Sequence, residues 1–190
     1  LECGYLSDDP KVGSGERPCQ ECKLGKPGRV RLFPPERLRG LDARIRRYHS
    51  EKDPEIVVIL VATFLETLLE DILARIMESQ GASVKLRAAV LDGQRSIGVR
   101  IGKLFPTLTG HQFEDVCAEI GFREFPRRWR HLRGERNAFI HDSAFESVVE
   151  QITAASAADA MELLDQAYRV FVLINNRFVA DGFSRSHDRR

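Results

Sequence analysis

The chain has almost no net charge. Its 29 Lys and Arg stand against 28 Asp and Glu, a formal +1 at pH 7. No whole-molecule field therefore draws in nucleic acid or a lipid surface, and any basic patch must come from local clustering. A long hydrophobic run is also missing. The longest, residues 56–65, is interrupted by Thr63 and stopped by Glu66. A bilayer span needs ~20 apolar residues, so no membrane association is expected. No signal-peptide pattern opens the chain, and because it starts at Leu1 and not Met, its true N-terminus is expected to lie upstream. Cysteine is scarce, with four in 190 residues and three of them near the start. That points to metal binding in a reducing compartment, the cytoplasm, more than to a disulfide framework. What remains is globular in character: 43% hydrophobic and 30% charged residues, enough for one ordinary domain and a small appendage.

Composition changes once along the chain. Residues 1–34 are rich in glycine and proline, carry Cys3, Cys19 and Cys22, and show no helical period. From residue 35 apolar residues recur at helical spacing, so the expected fold is all-α over residues 35–183, followed by a polar tail at 184–190. Leu38, Leu41, Ile45 and Tyr48 define a first helix near 35–49. Asp53, Pro54 and Glu55 form a strong helix start, and the apolar pattern then runs to about Ser79. Shorter helices are expected at 83–91 and 96–105, the latter weakened by Gly98 and Gly102. Thr109 and Gln112 suggest a capping box for the helix of Phe113, Val116, Cys117 and Ile120, which Gly121 ends. Pro126 opens a helix to about Asp142, and Ser156 and Asp159 suggest the cap of a last helix ending near Gly182.

The segment RNAFIH, late in the chain, holds the candidate chemistry. Arg136, Asn137 and His141 pair a permanent cation able to grip a phosphate with an imidazole that titrates near neutrality. On a helix from 126 to 142, Trp129, Leu132, Arg136 and Phe139 share the buried stripe, and Asn137 and His141 share a more polar face. Arg136 and His141 are then about 140° apart. Six arginines lie from Arg123 to Arg136 against Glu124 and Glu135, and Arg130, Arg133 and His131 are the candidate RNA contacts. Spacing alone leaves two readings of Arg136: a phosphate clamp, or a partner for a core-helix carboxylate such as Glu66 or Glu70. Cys117 falls on a buried face and is expected to be an inert core thiol.

At the start, Cys19 and Cys22 form a C-x2-C knuckle suited to zinc, and Cys3-Gly4 looks like the closing half of a second. A Cys immediately before Leu1 would complete a tetrahedral set. The expectation is a zinc-ribbon-like segment over residues 1–34 holding one structural Zn²⁺ through Cys3, Cys19 and Cys22. The alternative is a metal-free arm with reactive thiols.

The stretch WRHLRGERNAFIHD (129–142), with a long apolar second helix before it and a long closing helix expected to end in an Asn-containing turn, Ile174-Asn175-Asn176, resembles the HEPN superfamily over roughly residues 35–183. That resemblance implies a helical bundle that dimerises through the R-x4-H helix and cleaves RNA without a metal cofactor in catalysis. In that chemistry His141 would move the proton, Arg136 would stabilise the phosphoryl charge and Asn137 would orient one or both. The products are a 2′,3′-cyclic phosphate and a 5′-hydroxyl. It also implies a toxin or defence setting and, in some relatives, an inhibitory partner protein. A toxin subgroup places a nucleotidylated Tyr two residues after the His, where this chain has Ser143. Other relatives are non-catalytic dimerisation or RNA- and nucleotide-binding modules, in which case the zinc ribbon would dock a partner.

Overall fold

A computed structural model describes residues 5–7, 9–14, 16–18, 31–32, 35–141 and 152–180. Over these the fold is all-α apart from one parallel pairing of two-residue strands, β1 (Leu6–Ser7) with β2 (Arg31–Leu32). The helices are α1 (Pro10–Ser14), α2 (Glu36–Ser50), α3 (Pro54–Ser79), α4 (Val84–Gly93), α5 (Ile97–Val99), α6 (Phe105–Thr109), α7 (Phe113–Glu119), α8 (Phe125–His141) and α9 (Ala154–Asn175).

α3 is the axis of the bundle. Asp53 caps it by accepting from the Ile56 backbone N–H at 3.3 Å, with Pro54 at the first helical position. Its apolar residues wrap most of its circumference, and α9, α2, α8, α4 and α6 pack around it. Val57, Val61, Phe64, Leu68 and Ile72 are fully buried. At ~1.5–3 kcal/mol for each large apolar side chain removed from water, this one helix supplies a large part of the core. Among the described residues no helix is long and apolar enough to cross a membrane.

Three local expectations are corrected. The helix expected to stop at Phe105 continues: α5 passes through a π turn at Arg100–Leu104 into α6, with the Phe105 N–H bonded to the Arg100 carbonyl five residues back. The wider turn makes room for Pro106, whose ring would clash with the preceding turn of an α-helix. Thr109 does not cap α7. It ends α6, its Oγ1 donates to the Phe105 carbonyl at 2.8 Å, and Gly110 at φ 76° reverses the chain before α7. α9 starts earlier than Ser156, because Thr153 is the cap and Ser156 its reciprocal partner in a capping box. Asp159 lies inside the helix and pairs with Arg128.

Residues 174–176 do not form a turn either. α9 runs into a π segment at Asn176–Ala180, and this places two asparagines to receive the N-terminal segment. Buried Asn175 accepts from Arg75 Nε at 2.7 Å and donates to Asn176 Oδ1 at 3.0 Å. Asn176 in turn holds both main-chain groups of Leu6: it accepts from the N–H at 2.9 Å and donates to the carbonyl at 3.2 Å. Leu6 is only 5% exposed and belongs to the main core. The N-terminal segment is thus tied to the helical body. It also contains α1, a helix begun by Pro10 after Asp9, whose Oδ1 accepts from the Lys11 N–H at 2.9 Å. Cys3, Cys19 and Cys22 lie outside the described residues, as does the tail at 184–190. Among the described residues no group of three or more His, Cys, Asp or Glu is arranged to hold a metal.

Candidate functional site around Arg136

α8 begins after Gly121, whose φ of 89° turns the chain out of α7. Trp129 and Leu132, each 1% exposed, fix its inner face against the core. Arg136 comes one turn later on that stripe, where the bundle surface is reached, and its side chain is 18% exposed. It meets Glu66, the residue that ends the apolar run of α3. Arg136 Nη1 donates to Glu66 Oε2 at 3.1 Å and Nη2 to Oε1 at 2.9 Å, a two-pronged pair. Arg136 Nε donates to Asn137 Oδ1 at 3.2 Å. Glu70 is not involved; it pairs with Arg100 Nη1 at 2.9 Å. Among the described residues, three of the five guanidinium hydrogens are engaged.

Arg133 approaches the same carboxylate. Its Nε lies 3.8 Å from Glu66 Oε1, beyond hydrogen-bonding reach, and this buried nitrogen has no hydrogen-bond partner among the described residues. Burial lowers the affinity of the Arg133 guanidinium for its proton; Glu66 opposes this, while Arg136 and Arg130 add to it. The Glu66–Arg133–Arg136 cluster therefore carries two cations against one anion.

The remaining expected contacts diverge around the helix. Arg130 pairs with Glu114 of α7 at 3.1 Å, on the same side as Arg133. His131 lies on the α9 side, in a second cavity of about 440 Å³ that Arg128, Glu135, Ser156 and Asp159 also line. There His131 Nε2 is 3.9 Å from Glu135, which accepts from Ser156 Oγ at 2.6 Å. Arg130 and Arg133 thus share a face with Arg136's partner Glu66, and His131 does not. Much of the arginine charge is matched locally: Arg127 pairs with Glu124 at 2.7 Å, and Arg128 with Asp159 and Glu162.

His141 is the last residue of α8, five positions after Arg136; its side chain lies outside the described part of the chain. Phe139, expected on the buried stripe, is 47% exposed, and Ile140 is 51% exposed. Beyond Arg136 the stripe therefore reaches the surface instead of the core. Cys117 is fully buried as expected, and burial, with Glu114 adding, pushes its thiol up to about 12. The sequence reading missed the role of Gly98 and Gly102. Taken only as helix weakeners, they line a cavity of about 160 Å³ against Trp129, Arg130 and Arg133. Their i, i+4 spacing was the available signal. No family model matches the chain, and no curated protein or solved structure is significantly similar to it.

Proposed function

We propose that the helical body is a HEPN-type, metal-independent endoribonuclease acting through Arg136, Asn137 and His141. The observation that carries the reading is the anchoring of Arg136. Glu66 grips one edge of its guanidinium at 2.9 and 3.1 Å while Asn137 takes Nε. An anchored arginine meets a phosphate without first losing side-chain freedom. In the proposed reaction a base takes the proton of an RNA 2′-hydroxyl and the oxygen attacks the adjacent phosphorus. An acid returns a proton to the departing 5′-oxygen as the P–O5′ bond breaks. Two proton-handling groups are needed, and one motif supplies one histidine. A two-fold dimer through α8 would bring a second. Exposed Phe139 and Ile140, within the motif itself, support that assembly.

The same anchoring favours a second reading, a non-catalytic RNA-binding or dimerisation module. Glu66 neutralises much of the charge that a phosphate would meet, and in that case Arg136 serves mainly to join α8 to α3. RNA incubation with excess chelator separates the two. Cleavage to 2′,3′-cyclic phosphate ends, lost in His141→Ala, is the outcome of the enzyme reading; intact RNA at every protein concentration is that of the module. We further propose that Cys3, Cys19 and Cys22 hold a structural zinc in the N-terminal segment. The support is the thiolate chemistry of the C-x2-C pair, and the metal would take no part in the cleavage.

A further inference from the structure

Two arginines one turn apart on α8 share Glu66 unequally. Glu66 Oε2 accepts from Arg136 Nη1 at 3.1 Å, and Oε1 accepts from Arg136 Nη2 at 2.9 Å. The same Oε1 is the oxygen that faces Arg133, whose Nε lies 3.8 Å away. That Nε is buried and has no hydrogen-bond partner among the described residues. A buried donor without an acceptor is costly, so Arg133 gains from any event that brings Oε1 closer. The gap is small. Closing it to the ~3.2 Å limit of an N–H···O bond takes about 0.6 Å. Rotation of a carboxylate about its last torsion is soft, so the backbone need not move.

We propose that Arg133 is a positioning residue for Arg136: when a phosphate reaches Arg136, Glu66 Oε1 passes from Arg136 Nη2 to Arg133 Nε, and Nη2 turns to the phosphate. The inference rests on the reading of Arg136 as a phosphate contact and deepens it. Held by both carboxylate oxygens, Arg136 offers a phosphate a charge that Glu66 largely cancels. After the exchange Nη1 still bonds Oε2 and Nε still bonds Asn137 Oδ1. The guanidinium therefore stays aimed while one of its donors is released. Burial, ahead of any neighbour, disfavours the Arg133 cation, and Arg136 and Arg130 add to this; a closer Glu66 oxygen offsets it. Other groups nearby are already engaged. Arg130 pairs with Glu114 at 3.1 Å, and Glu70, one turn along α3, pairs with Arg100 at 2.9 Å.

The exchange has a signature that does not depend on turnover. An oligoribonucleotide with every 2′-hydroxyl methylated resists attack by the 2′-oxygen, and it would be titrated into the ¹⁵N-labelled full chain. The Arg133 Nε–H signal, assigned by its loss in Arg133→Lys, should move downfield and exchange more slowly with water as the oligonucleotide saturates. Cleavage of unmodified RNA then separates this exchange from a direct grip of Arg133 on the substrate. Arg133→Met should lower kcat/KM roughly tenfold or more, the loss of a charge-assisted hydrogen bond, and Arg133→Lys should recover part of it. In a Glu66→Gln background no carboxylate holds Nη2, so the same Arg133→Met change should cost less than about twofold. A direct phosphate contact would cost the same in both backgrounds. All variants are compared at a temperature where circular dichroism shows each to be folded. Equal defects in both backgrounds, or bound oligonucleotide with the Arg133 Nε–H signal unmoved, would overturn the exchange and leave the nuclease reading intact. A moved signal without cleavage of RNA keeps the exchange and rejects the nuclease. Neither binding nor cleavage at any protein concentration rejects both.

Discussion

The pair of Arg136 with Glu66 joins α8 to α3, and cutting it should cost stability whether or not the protein cleaves RNA. Two unit charges 4 Å apart attract by ~4 kcal/mol at an effective dielectric of 20. Both side chains are about one-fifth exposed, 18% and 23%, so desolvation and water competition remove part of that. Fully exposed pairs are worth ~0.2–1 kcal/mol, and stranding one member of a buried pair costs ~3–5 kcal/mol. This geometry lies between those limits. Arg133, at 3.8 Å, would partly compensate Glu66 after loss of Arg136. Arg136→Gln is therefore expected to destabilise the fold by about 2 kcal/mol, or roughly 4–8 °C in Tm for a chain of this size. Glu66→Gln should cost a similar amount, since it leaves Arg133 and Arg136 facing each other. The decisive measurement is a double-mutant cycle by urea denaturation, where the double variant should be less damaged than the sum of the singles by ~1–2 kcal/mol. Additive effects, or an Arg136→Gln protein as stable as the parent, would refute the claim that this pair joins the two helices. The cycle also decides how activity data are read, since a cleavage defect in Arg136→Gln counts as chemical only after the stability loss is allowed for.

His141→Ala should lower cleavage of RNA by ~10²–10⁴-fold, the usual yield of a lost general acid or base, with Tm unchanged; full activity in that variant would end the catalytic reading. Asn176→Ala removes both hydrogen bonds to the Leu6 main chain and should cost ~1–3 kcal/mol, seen as faster proteolysis within the first 18 residues than in the helical body. Cys117 should resist thiol reagents in the native state and react on unfolding. Its unfolded thiol ionises near 9.0 and its folded thiol near 12, so the stability gained by keeping it neutral is complete below about pH 9 and declines as pH rises toward 12. Cys117→Ala should flatten that alkaline decline without removing it, because Tyr168 is raised by burial and by Asp42 and acts in the same direction. Elemental analysis should find one zinc per protomer, and its removal by chelator should leave the helical signal of residues 35–183 in place.

The sequence by itself determined the features that depend on neighbours along the chain. Asp53, Pro54 and Glu55 start α3 where their local chemistry requires, and Gly121 ends α7 because a left-handed turn is easiest there. The period of Leu38, Leu41, Ile45 and Tyr48 determined α2, and Arg136 was legible as the edge of a buried stripe that must meet either a phosphate or a carboxylate. Tertiary structure decided matters that turn on a partner remote in sequence. It selected Glu66 over Glu70 for Arg136, since both lie on α3 one turn apart and Arg100 occupies Glu70. It carried the helix past Pro106 by a π turn, and it left Phe139 exposed where the stripe of α8 reaches the surface. It also brought Gly98 and Gly102 against Trp129 and Arg133 across a cavity. Helix spacing specifies which side chains share a face, because 3.6 residues per turn is a local property. What covers that face is specified by packing among segments whose order along the chain carries no distance information.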